Sequence, residues 1–315
     1  MKKSGIIAVV VVLAVAGSMF IPPVQAFAVN AMGVFRVSDP KVINISTQDL
    51  TELAQNVQAL MGGQAAGQDQ SETASQAPDK QDASDMLAQY EKTLNSASDF
   101  KAFSFKLPTY FKDQTPAITE IDVPAQSLTI DTASINEALA ALQSTVTLPS
   151  NLDGRKATVT PSPMVVAEYS DAVCFAAQKP SVDLPGNMET AVTQIVTTLP
   201  LLPEDIRAQL GDINLFDKNI YLPNVEGVTK TADLGGSTGY IYAVNDITAL
   251  AGNLLSAFQA GQAAPDGTSS GASLAQELQK YAGCEVIVWV KNNTLYGVAG
   301  RYTDDQLAAI AKTMQ

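Results

Sequence analysis

An uncharged apolar run occupies residues 5–21, GIIAVVVVLAVAGSMFI, directly after Lys2 and Lys3. Two cations followed by an apolar run are typical of a secretory signal, and small residues at 24–28 would suit a signal peptidase. As a helix the run would be about 25 Å long, slightly less than the ~30 Å hydrocarbon core, so it also fits an uncleaved anchor. We therefore interpret residues 1–28 as a signal peptide or a membrane anchor, and both place the remainder outside the cytoplasm.

The charge balance limits the partners of the exported part. Residues 29–315 carry 17 basic and 32 acidic side chains, a net charge of −15. Nucleic-acid binding needs clustered lysine and arginine, so we expect no nucleic-acid partner. No second run approaches the ~18 apolar residues of a membrane span, which excludes a multi-span transporter. Membrane association is expected through residues 5–21 alone.

The chain contains no histidine. This excludes serine and cysteine triads, histidine general bases and His-ligated zinc or haem. No G-x-G-x-x-G or P-loop pattern occurs. Gly235–Gly239 precedes a predicted strand, so we interpret it as a hairpin or a bulge. The carboxylate pairs Asp82/Asp85 and Asp304/Asp305 are interpreted as linker and helix-capping residues. We therefore expect no cofactor, no metal and no enzymatic activity.

Composition divides the exported part into three regions. Residues 29–62 are predicted as a helical juxtamembrane segment, with a strand VINIS and a helix capped by Ser46 or Thr47. Residues 63–85 contain no aromatic, Leu, Ile or Val residue and are predicted to be a disordered linker. Residues 86–315 form the main domain, with a helix near 83–94 at its start and a flexible loop at 261–273.

The main domain mixes strand and helix patterns without strict alternation. FSFKLP, ITEIDVP and SLTID alternate as strands do, and CEVIVWV and TLYGVAG flank Lys291-Asn292-Asn293 as a hairpin. Thr303 precedes two acids and an apolar-periodic run, which predicts a capped C-terminal helix. We expect an α+β fold, mostly antiparallel curved sheet packed against helices, with an N-terminal hydrophobic helix.

Two residue sets are candidates for special roles. Cys174 and Cys284 permit one disulfide in an oxidising compartment, although two buried free cysteines fit their strand-like surroundings equally well. The aromatic side chains of the C-terminal half would either line a ligand groove or pack in the core. These candidate groove residues are Tyr240, Tyr242, Trp289 and Tyr296.

Three stretches resemble a family of bacterial membrane-attached extracytoplasmic proteins of unknown function. They are PPVQAFAVNAMGVFRV, TLPSNLDGRKATVTPSPMVVAEY and VIVWVKNNTLYGVAGRYTDDQLAAIAKTM. The last is similar to the end of the extracytoplasmic domains of Firmicute anti-sigma-like proteins, and more distantly to lipoprotein-sorting and RseB-type half-barrels. The resemblance implies a sensing or binding domain. Anti-sigma members carry a zinc-binding domain before the membrane, whereas here only residues 1–4 precede the run, so at most we expect regulation of a separate membrane partner.

These observations favour a non-catalytic extracytoplasmic binding or regulatory protein, with a membrane protein as its partner. One alternative is a carrier of lipid or another apolar ligand in a half-barrel cavity. A less favoured one is a cell-wall hydrolase that uses two carboxylates, which needs no histidine.

Overall fold

The computed structural model describes residues 41–64, 89–213, 216, 219–246 and 283–314. Several predictions lie outside these residues. They are the signal or anchor at 1–28, the first part of the juxtamembrane segment, nearly all of the linker at 63–85, and the loop at 261–273. Within the described residues, no helix is long and apolar enough to cross a membrane.

Thirteen strands and five α-helices lie in the described residues. The strands are β1 Lys41–Ile45, β2 Glu91–Leu94, β3 Ala117–Ile121, β4 Gln126–Thr129, β5 Lys156–Thr160, β6 Met164–Glu168, β7 Ala172–Gln178, β8 Ser181–Asp183, β9 Tyr221–Val225, β10 Lys230–Asp233, β11 Thr238–Ala243, β12 Glu285–Lys291 and β13 Thr294–Gly300. The helices are α1 Thr47–Gln64, α2 Thr132–Ala141, α3 Met188–Thr198, α4 Glu204–Gly211 and α5 Asp304–Thr313.

Eight strands form one fully antiparallel sheet in the order β10-β11-β12-β13-β7-β6-β3-β2. The order consists of two four-stranded meanders, β2-β3-β6-β7 and β10-β11-β12-β13, whose last strands pair with each other. The β12–β13 hairpin turns through Asn292 and Asn293, both with positive φ, as a two-residue hairpin turn requires. The predicted large antiparallel sheet packed against helices is confirmed.

The first face of this sheet carries most of the core. One row of side chains crosses all eight strands in register, and every member except the edge lysine is buried. Helix α5 covers this face with Leu307 and Ile310, and the segment between β2 and β3 adds three phenylalanines. The row consists of Leu94, Ile118, Ala167, Cys174, Val298, Ile287, Ile241 and Lys230.

The second face is covered by a small parallel pair, β1–β9. Val42 and Leu222 pack there against Phe175, Val288 and their neighbours in a second apolar cluster. A three-stranded sheet, β4-β5-β8, forms a third cluster with α2 and α3. Burial of three clusters is the main favourable contribution to folding in such a chain.

The N-terminal strand and helix belong to this body. The side-chain amide of Gln209 donates to the carbonyl of Asn44 and accepts from its N–H, both at 2.8 Å. Asn56 Nδ2 donates to the carbonyl of Leu201 at 3.2 Å. The predicted juxtamembrane segment is thus not separate: its strand and helix are docked on the main domain.

Local predictions had mixed outcomes. The helix predicted to begin at Thr47 is confirmed, with Ser46 and Asp49 bonded to each other as caps, but it continues through Gly62 and Gly63 to Gln64. The helix predicted near 83–94 is wrong in its described part, because Glu91–Leu94 is an edge strand. FSFKLP forms no strand. Thr132 or Ser134 is the cap that the sequence suggests for helix α2, but the side chain of Asp131 caps it instead.

Candidate functional site

An open cavity of about 710 Å³ lies at one end of the large sheet, where β11 ends, β12 begins and β13 leads into α5. Its volume is within the usual range of ligand-binding pockets, about 300–1,000 Å³. Most of the lining residues are polar and carry both signs of charge, while apolar atoms make up about half of the lining surface. The lining residues are Lys230, Ala243, Asn245, Gly283, Cys284, Glu285, Arg301, Tyr302, Thr303, Asp304, Asp305 and Gln306.

The register of the hairpin brings the charged residues together. Glu285, the first residue of β12, pairs with Gly300 at the end of β13. From Gly300 the chain needs only two residues to reach Thr303, whose side chain caps α5 in a capping box with Gln306. The first turn of α5, with Asp304 and Asp305, therefore lies next to Glu285. A carboxylate in this turn is also stabilised by the helix dipole.

Gly300 keeps this corner compact. A Cβ at this position would lie 2.6 Å from the Tyr302 ring and 2.8 Å from the carbonyl oxygen of Asp171. Any side chain here would push the β13–α5 connection away from the sheet. The glycine therefore fixes the distance between β12 and the start of α5.

Lys230 links the two carboxylates of the cavity. Its Nζ lies 3.0 Å from Asp304 Oδ2 and 3.4 Å from Glu285 Oε1. The other oxygen, Glu285 Oε2, is buried and accepts no hydrogen bond from the described residues. A buried acceptor without a donor is costly, so this oxygen would favour a ligand that donates a hydrogen bond.

The two carboxyl groups differ in acidity. Burial raises the pKa of Glu285, and the hydrogen bond that its protonated carboxyl would donate to Asp304 raises the pKa further. The same hydrogen bond, with help from Lys230, lowers the pKa of Asp304. Hydrogen bonding to Asp304 raises the pKa of Lys230. On acidification Glu285 therefore takes up a proton first, while Asp304 stays ionised beside the lysine.

The four predicted groove residues do not form a groove. Trp289 and Tyr296 stack on the first face with ring centroids 5.5 Å apart, and Trp289 is fully buried. Tyr240 and Tyr242 belong to the cluster on the second face, where the Tyr242 hydroxyl donates to the Pro223 carbonyl at 2.6 Å. Because alternate residues of a strand point to opposite faces, the two pairs are separated by the sheet itself. All four side chains pack against apolar clusters of the sheet.

The two cysteines are free. Cys174 is fully buried in the first-face cluster, and burial raises the pKa of its thiol. Cys284 packs against the second-face cluster and lines the cavity. The disulfide that the sequence permits is thus not formed, because the two side chains lie with different faces of the sheet.

Sequence reasoning missed the cavity. Asp304 and Asp305 were visible as acids in the first turn of a helix, and the structure confirms that position. No local pattern indicates their partner, because Lys230 is 74 residues away in sequence. In the part of the chain that the structure describes, no group of three or more His, Cys, Asp or Glu residues could hold a metal ion.

Comparison with protein-family models, with curated proteins and with solved structures finds no match for this chain. The resemblance to membrane-attached bacterial proteins therefore stays a prediction, and the cavity has to be interpreted from its own chemistry.

Proposed function

We propose that this chain is a non-catalytic binding protein at the extracytoplasmic face of the cell membrane. We further propose that its cavity binds a small polar ligand, or a polar group of a membrane partner, that carries a positive charge. The observation that supports this most is the buried, unpartnered Glu285 Oε2 in a cavity lined by three carboxylates against one lysine and one arginine. A cationic donor such as an ammonium group would satisfy this oxygen and balance the charge.

The geometry favours binding over hydrolysis. A carboxylate-dependent glycosidase needs its two carboxyl groups about 5–10 Å apart on either side of the scissile bond. Glu285 and Asp304 instead both contact Lys230 Nζ, at 3.4 and 3.0 Å, so the lysine occupies the space where a scissile bond would have to lie.

The apolar-carrier alternative receives less support. A carrier needs an apolar cavity between its sheet and helices. In the described residues, this space on the first face is filled by fully buried side chains of Trp289, Val298, Leu307 and Ile310. The described cavity lies outside this space, and five of its lining residues are charged. The membrane location is supported by the apolar run at residues 5–21.

Site-specific photocrosslinking tests the binding role. We expect the full chain carrying benzoylphenylalanine in place of Asn245, which lies in the cavity lining, to yield a defined adduct in membranes of the source cells. The matched control carries the same group in place of Leu128, an exposed residue of β4. Mass spectrometry of the intact adduct distinguishes a small ligand from a protein partner. Identical patterns from the two positions, or no adduct from Asn245, would contradict the proposal.

The acidity of Glu285 gives a second test. We expect the affinity of the full chain for putrescine, a small dication, to fall about fivefold to tenfold as Glu285 becomes neutral on acidification. Because the pKa of Glu285 is raised, this loss begins at a higher pH than an ordinary carboxylate would give. Calorimetry at stepped pH measures it, with succinate as the anionic control. A Glu285→Gln variant should lack this first step, and a pH-independent affinity of the unaltered chain would refute the assignment.

A further inference from the structure

Three Phe-Lys dipeptides follow one another between β2 and β3, at 100–101, 105–106 and 111–112. We call residues 100–112 the Phe-Lys segment. It contains three lysines and no acidic residue, in a chain whose net charge is −13. Asp99 and Asp113 flank it directly, so the excess of positive charge is confined to these thirteen residues.

Each phenylalanine of the three pairs anchors the segment to the sheet. Phe100, Phe105 and Phe111 are all buried in the first-face cluster. The Phe111 ring lies 4.5 Å from that of Tyr169, and the Phe100 ring lies 4.7 Å from that of Phe103. Since close-packed aromatic rings hold a backbone in place, the segment is fixed although it forms only one short 3₁₀ turn, Thr109–Phe111.

Each lysine that follows is directed to solvent. Lys101, Lys106 and Lys112 are exposed, and none of them forms an ion pair with any residue that the structure describes. Lys101 Nζ donates only to the carbonyl of Ser98, at 2.5 Å. The anchored phenylalanines therefore present three lysines whose charge is not neutralised by an ion pair.

An exposed aromatic side chain lies among these lysines. Tyr110 is 43% exposed, the highest value among the large apolar side chains of the described residues. Its neighbour Leu107 is only partly buried. Tyrosine is enriched at the level of lipid headgroups, and lysine can lie along apolar surface while its ammonium group reaches a phosphate.

We propose that the Phe-Lys segment is a membrane-facing surface that binds the headgroups of anionic lipids. Charge complementarity is the reason for this choice of partner: the lysines attract an anionic bilayer, whereas the net negative charge of the chain is repelled by it. Each lysine close to an anionic surface strengthens association about fivefold. The segment would therefore orient the body, with the first-face side of the sheet toward the bilayer. The inference does not depend on what the cavity binds.

Lysine footprinting of the full chain in lipid nanodiscs tests this surface. We expect acetylation of Lys101, Lys106 and Lys112 to be about tenfold slower in discs of phosphatidylglycerol than in discs of phosphatidylcholine. Lys156 and Lys291 serve as internal controls and should react equally in both. High salt should remove the difference, since electrostatic attraction is screened.

A pair of charge-matched variants completes the test. The first variant replaces the three lysines of the segment, Lys101, Lys106 and Lys112, by Gln. The second replaces three lysines outside it, Lys156, Lys179 and Lys291, by Gln. With a fluorophore on Thr109→Cys, an exposed position in the segment, in a background with Cys284→Ser, proximity to labelled lipid should be lost only in the first. Equal acetylation in both kinds of disc, or equal protection of the control lysines, would overturn the proposal. Protection by soluble polyphosphate but not by anionic discs would also overturn it, in favour of an acidic polymer.

Discussion

Replacement of Gly297 by alanine is expected to lower the free energy of unfolding by about 3 kcal/mol or to prevent folding. Gly297 lies at the centre of β13, directly opposite Phe175 of β7. A Cβ on Gly297 would lie 2.1 Å from Phe175 Cζ and 2.3 Å from Cε1. The ring is buried among second-face residues and has no free space to move into. Denaturant titration followed by circular dichroism measures the loss.

Removal of the ring should reverse this effect. Phe175→Ala alone is expected to cost about 3–5 kcal/mol, because it leaves a cavity. In the Phe175→Ala background, however, Gly297→Ala should cost under about 1 kcal/mol, since the clash is gone. This double-mutant cycle isolates the contact between the two residues. Additive costs would show that the sheet, rather than the ring, rejects a side chain at 297.

Gly211→Ala is the matched control for a glycine substitution. Gly211 is the last residue of α4, and a Cβ there would meet only Thr197 Cγ2 at 3.7 Å, an ordinary contact distance. Alanine also reduces the conformational freedom of the unfolded chain. We therefore expect Gly211→Ala to leave stability unchanged or to raise it by up to about 1 kcal/mol.

Trp289→Ala is expected to cost about 3–5 kcal/mol. Trp289 is fully buried, stacks on Tyr296 and packs in the first-face cluster with α5. Its indole N–H has no partner among the described residues, so its value to the fold comes from packing area. Calorimetric unfolding measures the change without relying on tryptophan fluorescence.

Two further measurements would test whether Trp289 is a buried core residue. Tyr110→Ala, at an exposed site, should change stability by no more than about 0.5 kcal/mol. In the unaltered chain, acrylamide should quench the fluorescence of this single tryptophan only weakly. A stability loss below about 1 kcal/mol for Trp289→Ala, together with strong quenching, would support the ligand groove that the sequence allowed.

Elements with local signals were predicted well. The β12–β13 hairpin has alternating apolar residues and two asparagines in its turn, and α5 has Thr303 and Gln306 as a capping box. Each of these signals lies within a few residues of the structure that it determines. In such elements, the structure that the local sequence favours is the same as the one that the overall fold requires.

Elements that depend on distant contacts were not predicted. Glu91–Leu94 resembles the end of a helix, but pairing with β3 makes it a strand. In FSFKLP the alternating pattern is real, yet Phe105 is buried by the sheet below it rather than by strand pairing. Tertiary contacts outweigh local propensity at both sites.

The candidate site failed in prediction for the same reason. Lys230 and Asp304 meet only because β10 and α5 both lie at the same end of the large sheet. The four candidate groove residues lie on two different faces of the sheet. Periodicity shows which residues of one strand share a face, but it does not show which face of a neighbouring strand lies beside it. That information depends on register.

The pairing of β7 with β13 has the geometry of an interface between two copies of a four-stranded sheet. The β6–β7 hairpin corresponds strand by strand to the β12–β13 hairpin. The paired residues Glu168 and Val173 of the first hairpin match the paired residues Val290 and Leu295 of the second. In this comparison of the two hairpins, Phe175 of β7 is equivalent to Gly297 of β13. These two residues are also paired with each other, so a local two-fold axis passes between them. A dimer of identical halves would place the same residue on both sides of this axis. A single covalent chain is free of that constraint, and here one half supplies an aromatic ring while the other supplies the space for it.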